Sequence, residues 1–165
     1  MIRTARVDDV PVVFSLVREL ADYEREPHAV VATEDDFRTA LFGPDPKVFC
    51  LVAEDEALED AAAGEVVGFA IWFFSFSTWL GVHGVYLEDL FVRPAARGAG
   101  HGRALLAELA RIAVDNGCGR VEWAVLDWNA PAQGFYRALG AAPTDEWTTW
   151  RLTGDALRNL ARRSF

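Results

Sequence analysis

A chain of 165 residues with 52% apolar positions can bury one sizeable core, and its length predicts a single domain over residues 1–165. Its 25 acids against 16 bases leave a formal charge of −9, a field that repels phosphate backbones and attracts cations, so nucleic acid is disfavoured as a partner. The longest apolar run, VVGFAIWFF, is too short to span a bilayer, and MIRTARVDD carries no apolar signal core. These features, with Cys50 and Cys118 far apart and outside any ligand spacing, predict a soluble cytoplasmic protein with free thiols and no membrane partner.

In chain order, MIRTARV reads as a strand, after which Asp8 caps a helix running to about Tyr23 with Val13, Leu16, Val17 and Leu20 at helical spacing. TEDDF opens a second helix, with Thr33 as N-cap and Asp36 three residues on, close to a capping box. KVFCLVAED and EVVGFAIWFF read as a hairpin of strands around an acidic, alanine-rich loop at Glu59 to Gly64. HGVYLEDLFV is the next strand, ended by Pro94, and His101 to Asn116 is the strongest helix, with a stripe of Leu105, Leu106, Leu109, Ile112 and Ala113. CGRVEWAVLDW returns as a strand, Pro131 to Leu139 forms a short helix, TTWRLT reads as a late strand, and a last helix runs from Gly154 towards Ser164. Strands that alternate with helices, then pair, then alternate again predict an α/β protein whose mixed sheet is covered on both faces.

Within YLEDLFV, Glu88 and Asp89 stand side by side in a strand that otherwise reads as core. Regular alternation puts Glu88 on the face of Tyr86 and Leu90, and Asp89 on the face of Leu87 and Phe91. With helices on both faces, neither acid has an easy route to water.

The segment RPAARGAGHGRALL places Gly98, Gly100 and Gly102 between a strand and a helix start, a geometry in which backbone N–H groups converge on an anion. Gly102 is followed by Arg103 and Ala104 rather than Lys and Ser or Thr, which disfavours a P-loop, and Arg103 occupies the third position that a dinucleotide fingerprint gives to glycine. What remains is Arg-x-x-Gly-x-Gly directly after LEDLFVRP. Here the sequence resembles the GNAT superfamily of N-acetyltransferases. YLEDLFV, RGAGHG, AVLDWNAPAQGFYRALGA and the early LADYE look like successive segments of its diamine acetyltransferase subfamily, and FSTW resembles the thialysine branch more than the polyamine branch.

The resemblance implies the GNAT fold, a mixed, mostly antiparallel sheet splayed at its centre with helices on both faces. It also implies acetyl-CoA as co-substrate, no metal and a homodimer. It further implies cofactor contacts from Leu90, Phe91 and Val92 of the strand, from Arg97, Gly98, Ala99, Gly100, His101, Gly102 and Arg103 of the loop, and from Asn129 and Tyr136. Tyr23, Glu24, Trp79, Glu88 and Glu146 become candidate contacts of a small cationic amine. By residue type alone, Tyr136 also fits a core aromatic beside Phe135 and Leu139, and Asn129 a helix cap. Trp79 and Glu146 equally fit packing and solvated charge.

Acetyl transfer to an alkylammonium of pKa about 10.4 requires its deprotonation, roughly 4.6 kcal/mol at pH 7, while a thiol near 8.5 costs about 2 kcal/mol as it leaves. Glu88 is the candidate proton acceptor, directly or by binding the ammonium and feeding a water chain, and Tyr136 is the acid that meets the departing sulfur. Asp89 either reinforces the negative field or pairs with an arginine. Two other functions share these motifs: acetylation of a peptide amine, which needs an open groove, and non-catalytic sensing of acyl-CoA, which needs the loop but not Glu88 with Tyr136.

Overall fold

Alternating apolar runs build a five-stranded sheet in the order β1-β2-β3-β4-β5. Its strands are β1 (Ile2–Thr4), β2 (Phe49–Asp55), β3 (Glu65–Ser77), β4 (Val82–Val92) and β5 (Val121–Glu122). The computed structural model describes residues 1–55 and 64–162, so most of the expected loop from Glu59 and the terminal Ser164 lie outside the described residues. These form two compact units, Met1–Ala124 and a second beginning at Val125.

In the first unit, helices α1 (Val10–Tyr23), α2 (Glu34–Phe42) and α3 (His101–Asp115) cover the sheet. Val13, Leu16 and Leu20 of α1 and Leu41 of α2 pack with Cys50, Val52, Phe69, Ile71 and Phe91 in one cluster. Alternation then turns Leu51 and Ala53 of β2, both buried, to the opposite face, where α3 contacts every strand and buries Leu105 and Leu109. Both faces of the sheet are thus covered, as the sequence predicts. Thr33 caps α2 in a full capping box with Asp36.

The start of α1 differs from its expected form: a 3-10 turn at Val7–Asp9 precedes it, Asp9 rather than Asp8 stands at its N-cap, and the Asp9 side chain serves the turn rather than the helix. The Arg6 N–H donates to Asp9 Oδ2 at 2.6 Å, and Arg3 grips the same carboxylate through both Nη atoms at 2.6 and 2.9 Å while its Nε donates to Glu54 at 2.6 Å. Asp9 and Glu54 are both buried, so Arg3 compensates two acids at once and ties β1 to β2 and α1. The guanidinium holds the Asp9 carboxyl below its usual range.

Strands β1 to β4 pair antiparallel, and β5 pairs parallel with β4 only at Val85↔Val121 and Tyr86↔Glu122. The return strand expected over CGRVEWAVLDW is therefore cut to two residues, while β4 runs on to Val92 without a second neighbour among the described residues. The pairing that stops short thus lies at the β5 edge of the five-stranded sheet rather than at its centre.

The second unit carries α4 (Ala130–Ala138) and α5 (Gly154–Ala161). The late strand expected at TTWRLT does not form: residues 147–153 pair with no strand among the described residues, and Trp150 is 92% exposed. β-branched residues favour a strand only where a partner receives their backbone groups and one face is buried.

Candidate active site

The register of β4 against β3 decides where the two acids go. Leu87 pairs with Trp72 and Asp89 with Ile71, the next residue along β3, so Glu88 is an extra residue in β4, a β-bulge. Trp72 and Ile71 are successive residues of β3 and face opposite sides of the sheet, so their partners Leu87 and Asp89 do too. The expectation that Asp89 shares a face with Leu87 is thus corrected: the inserted residue shifts the alternation, and Asp89 joins Ile71 and Phe91 on the α1–α2 side. Glu88 and Asp89 then line one cavity of about 230 Å³ with Asp36, Phe37, Ala40 and Leu41 of α2, Val48, and Ile71.

Neither acid is neutralised by an ion pair among the described residues, so the alternative of a structural acid paired to an arginine finds no support at either position. Burial lifts the Asp89 carboxyl to about 6, and the charges of Glu88 and Glu24 add to the effect. Glu24, at the C-cap of α1, is itself raised by burial. The Tyr86 phenol is raised by burial and by the nearby Glu88 and Glu122. Against the expectation that neither acid reaches water easily, Glu88 is exposed and only Asp89 is half-buried; together the acids make a negative field that favours a cation.

The open edge of β4 lies beyond these acids. The Arg93 N–H donates to Val67 O at 2.9 Å, directing residue 93 towards β3, so alternation directs the backbone groups of Leu90 and Val92 to the free edge. Phe91, also expected to meet the cofactor, directs its backbone to β3 and its side chain to the core. Arg97 Nε takes Val92 O at 2.9 Å, and the guanidinium lies 5.1 Å from the Tyr23 ring centroid and 5.6 Å from that of Phe91. Arg97 thus links the loop to Tyr23, the neighbour of Glu24.

The glycine loop has the backbone that anion binding requires. Gly98 and Gly100 sit at φ of +85° and +89° with open space where a Cβ would be, so conformation rather than crowding calls for glycine there. Gly100 caps α3, and the first intrahelical bond is from Ala104 N–H to Gly100 O at 2.9 Å, which leaves the N–H groups of His101, Gly102 and Arg103 ahead of it. Ala99 is exposed between the two left-handed glycines. The His101 ring turns aside to Asp55, 3.7 Å away, so its backbone rather than its side chain faces the loop's task.

Trp79 sits at the exposed tip of the β3–β4 hairpin, 86% exposed. In the second unit, Asn129 is buried and its Oδ1 accepts from Ala132 N–H at 3.3 Å, the capping role expected of it. Tyr136 is half-buried on α4, its ring 5.3 Å from that of Phe135. Glu146 lies in an exposed turn.

The arrangement meets a family pattern. Residues 13–141, which run across both units, match the acetyltransferase (GNAT) family. The chain is 41% identical over 165 residues to a thialysine N-epsilon-acetyltransferase of Bos taurus, covering 98% of this chain and 96% of that protein. It is 34% identical to an L-ornithine N5-acetyltransferase of Arabidopsis thaliana, covering 96% and 86%. Among solved structures, an integron cassette protein from the mobile metagenome of V. cholerae superposes with a TM-score of 0.76 at 28% identity, covering 99% and 98%. The chain belongs to the GNAT acetyltransferase family.

As a GNAT acetyltransferase, the chain is an enzyme that transfers acetyl groups to amines, and acetyl-CoA is the co-substrate of its family. Sequence reasoning missed the contribution of α2 to this enzyme's acidic cavity. The sequence singles out only Asp36 there, as a partner of the Thr33 cap, and the placement of Phe37, Ala40 and Leu41 beside it and β4 reveals the cavity. The face that Asp89 takes depends on the bulge, which local sequence does not show.

Proposed function

We propose that the enzyme transfers acetyl from acetyl-CoA to a primary amine of a small cationic acceptor, a thialysine- or lysine-like amino acid or a diamine or polyamine, by direct attack in a ternary complex. The observation that carries this reading is the pair of uncompensated carboxylates, Glu88 and Asp89, turned by the bulge onto one face of a cavity. An acceptor that brings its own positive charge suits such a site, and the names of the similar enzymes point to the same class of substrate.

In the proposed reaction the ammonium binds at Glu88 and Asp89 and gives up one proton. Lifting an aspartate from its usual range to about 6 makes it a stronger acceptor by roughly 3 kcal/mol, so Asp89 is better matched to the amine than an ordinary carboxylate. Glu88 holds the ammonium and relays protons towards water. The neutral nitrogen attacks the thioester carbonyl, the C–N bond forms and the C–S bond breaks, Tyr136 supplies the proton to the departing sulfur, and the second proton that the nitrogen sheds as the amide forms restores the Tyr136 hydroxyl. The backbone of Leu90 and Val92 lies along the pantetheine arm, and the N–H groups from Gly98 to Arg103 hold the pyrophosphate.

The test is incubation with acetyl-CoA and a panel of lysine analogues, diamines and polyamines, following thiol release. Turnover on cationic primary amines is the expected result, and none on any member would overturn the reading. Glu88→Gln removes one charged partner of the ammonium and should lower kcat/KM for the best amine by about tenfold or more, chiefly through KM. Steady-state kinetics at saturating acetyl-CoA measures this.

A further inference from the structure

The acidic cavity has a second, apolar component that neither the reacting amine nor the thioester uses. Residues 36, 37, 40 and 41 of α2 stand at i, i+1, i+4 and i+5, which puts them on one side of the helix, and that side lines the open cavity together with Glu88 and Asp89. At about 230 Å³ the space matches roughly seven water-sized groups at liquid density, more than an ammonium alone fills. The aromatic ring of Phe37 is held edge-on against Phe14 at 5.4 Å, so this wall is fixed rather than adaptable. Ala40 contributes only a methyl group where a larger side chain would take up the space. At the helix start, Asp36 Oδ2 accepts from both the N–H and the hydroxyl of Thr33 at 2.8 Å, and no bond engages its Oδ1 among the described residues. The Thr33 bonds lower its pKa and keep it ionised.

We propose that the face of α2 carrying Phe37 and Ala40 seats the methylene chain of the acceptor beyond its reacting nitrogen, so that Ala40 sets how long that chain can be and Asp36 meets a second ammonium at its far end. The inference rests on the acetyl-transfer reading above and narrows its substrates to ω-ammonium chains whose length is measured on α2. A chain lying on this wall gains affinity with every methylene that it buries, up to about fourfold each, until the space is full.

The experiment measures kcat/KM for the series from propane- to octane-α,ω-diamine and for the matching n-alkylamines, with the wild type, Ala40→Phe and Phe37→Ala. For the wild type, kcat/KM should climb with length to a maximum, and each diamine should exceed the alkylamine of the same length. Ala40→Phe should move the maximum to shorter chains and lower the hexane-to-propane diamine ratio at least tenfold. Phe37→Ala should move the maximum to longer chains. Circular dichroism checks that the variants fold, and Ala40→Leu, with a smaller shift in the same direction, serves where Ala40→Phe does not. Turnover with one common length profile in all proteins would overturn this inference and leave acetyl transfer standing. Absence of turnover on every amine would instead overturn the reaction on which it rests.

Discussion

Replacing Asp89 by Asn should lower kcat/KM at pH 7.5 by roughly 100-fold, the lower range for loss of a proton-transfer group, and should abolish the acid limb of the pH profile. In the wild type that limb should fall near pH 6, where the Asp89 carboxyl titrates in the free enzyme. Stability should move the other way. Because the folded state raises this pKa from 3.8 to about 6, folded protein binds a proton between these values that the unfolded chain has released, so wild-type stability falls as pH rises through that window. Above pH 6 the burden amounts to about 3 kcal/mol at most, and Asp89→Asn removes it, so Tm at pH 7.5 should rise by about 5 °C while the two proteins converge near pH 4. Thermal denaturation between pH 4 and 8, beside kcat/KM over the same range, measures both effects. A lower Tm at pH 7.5 together with a surviving limb near pH 6 would show that Asp89 is a structural acid. A more stable but slower enzyme is the signature of a group kept for chemistry at the expense of folding.

Tyr136→Phe should have an effect of similar size on a different step. A coenzyme A thiolate leaves with a pKa near 8.5, and an acid placed on the sulfur contributes about 100-fold. Turnover should drop by that factor while the dissociation constant of CoA, measured by calorimetry, changes less than about twofold. The decisive comparison is an acetyl thioester whose thiol is more acidic than CoA. A better leaving group needs less help, so the defect of the variant should shrink on it. If the ratio of wild-type to variant rate is the same for both donors, the hydroxyl does not act on the leaving sulfur. The second acid–base partner would then have to be sought elsewhere.

Much of the fold is legible in the sequence because it is local. The α2 capping box is written in Thr33 and Asp36, the left-handed turn ahead of α3 in Gly98 and Gly100, and the α3 stripe in Leu105 and Leu109. What escaped depends on partners distant in sequence. The expected strand after Cys118 shrinks to Val121 and Glu122 because β4 accepts a parallel neighbour only as far as Tyr86. The run TTWRLT has strand-forming residues but no partner among the described residues. Asp9 prevails over Asp8 because Arg3 of β1 grips its carboxylate while also holding Glu54 of β2, which no helical pattern reveals. The least legible element matters most: the offset at Glu88 changes no propensity in YLEDLFV, and it appears only when β4 is set against β3.

An enzyme whose acid pair arises from a bulge is exposed to a kind of change that substitution scans do not sample. Deleting Glu88 outright, instead of replacing it, would leave Leu87 opposite Trp72 and Asp89 opposite Ile71 and return β4 to regular pairing, with no gap left in the ladder. The shortened chain could keep its sheet, its glycine loop and Asp89 on the α1–α2 side, while the cavity beside α2 lost the carboxylate of Glu88 alone. A one-codon deletion would thus remove the exposed acid and the distortion of the strand together, and leave the half-buried acid where it stands.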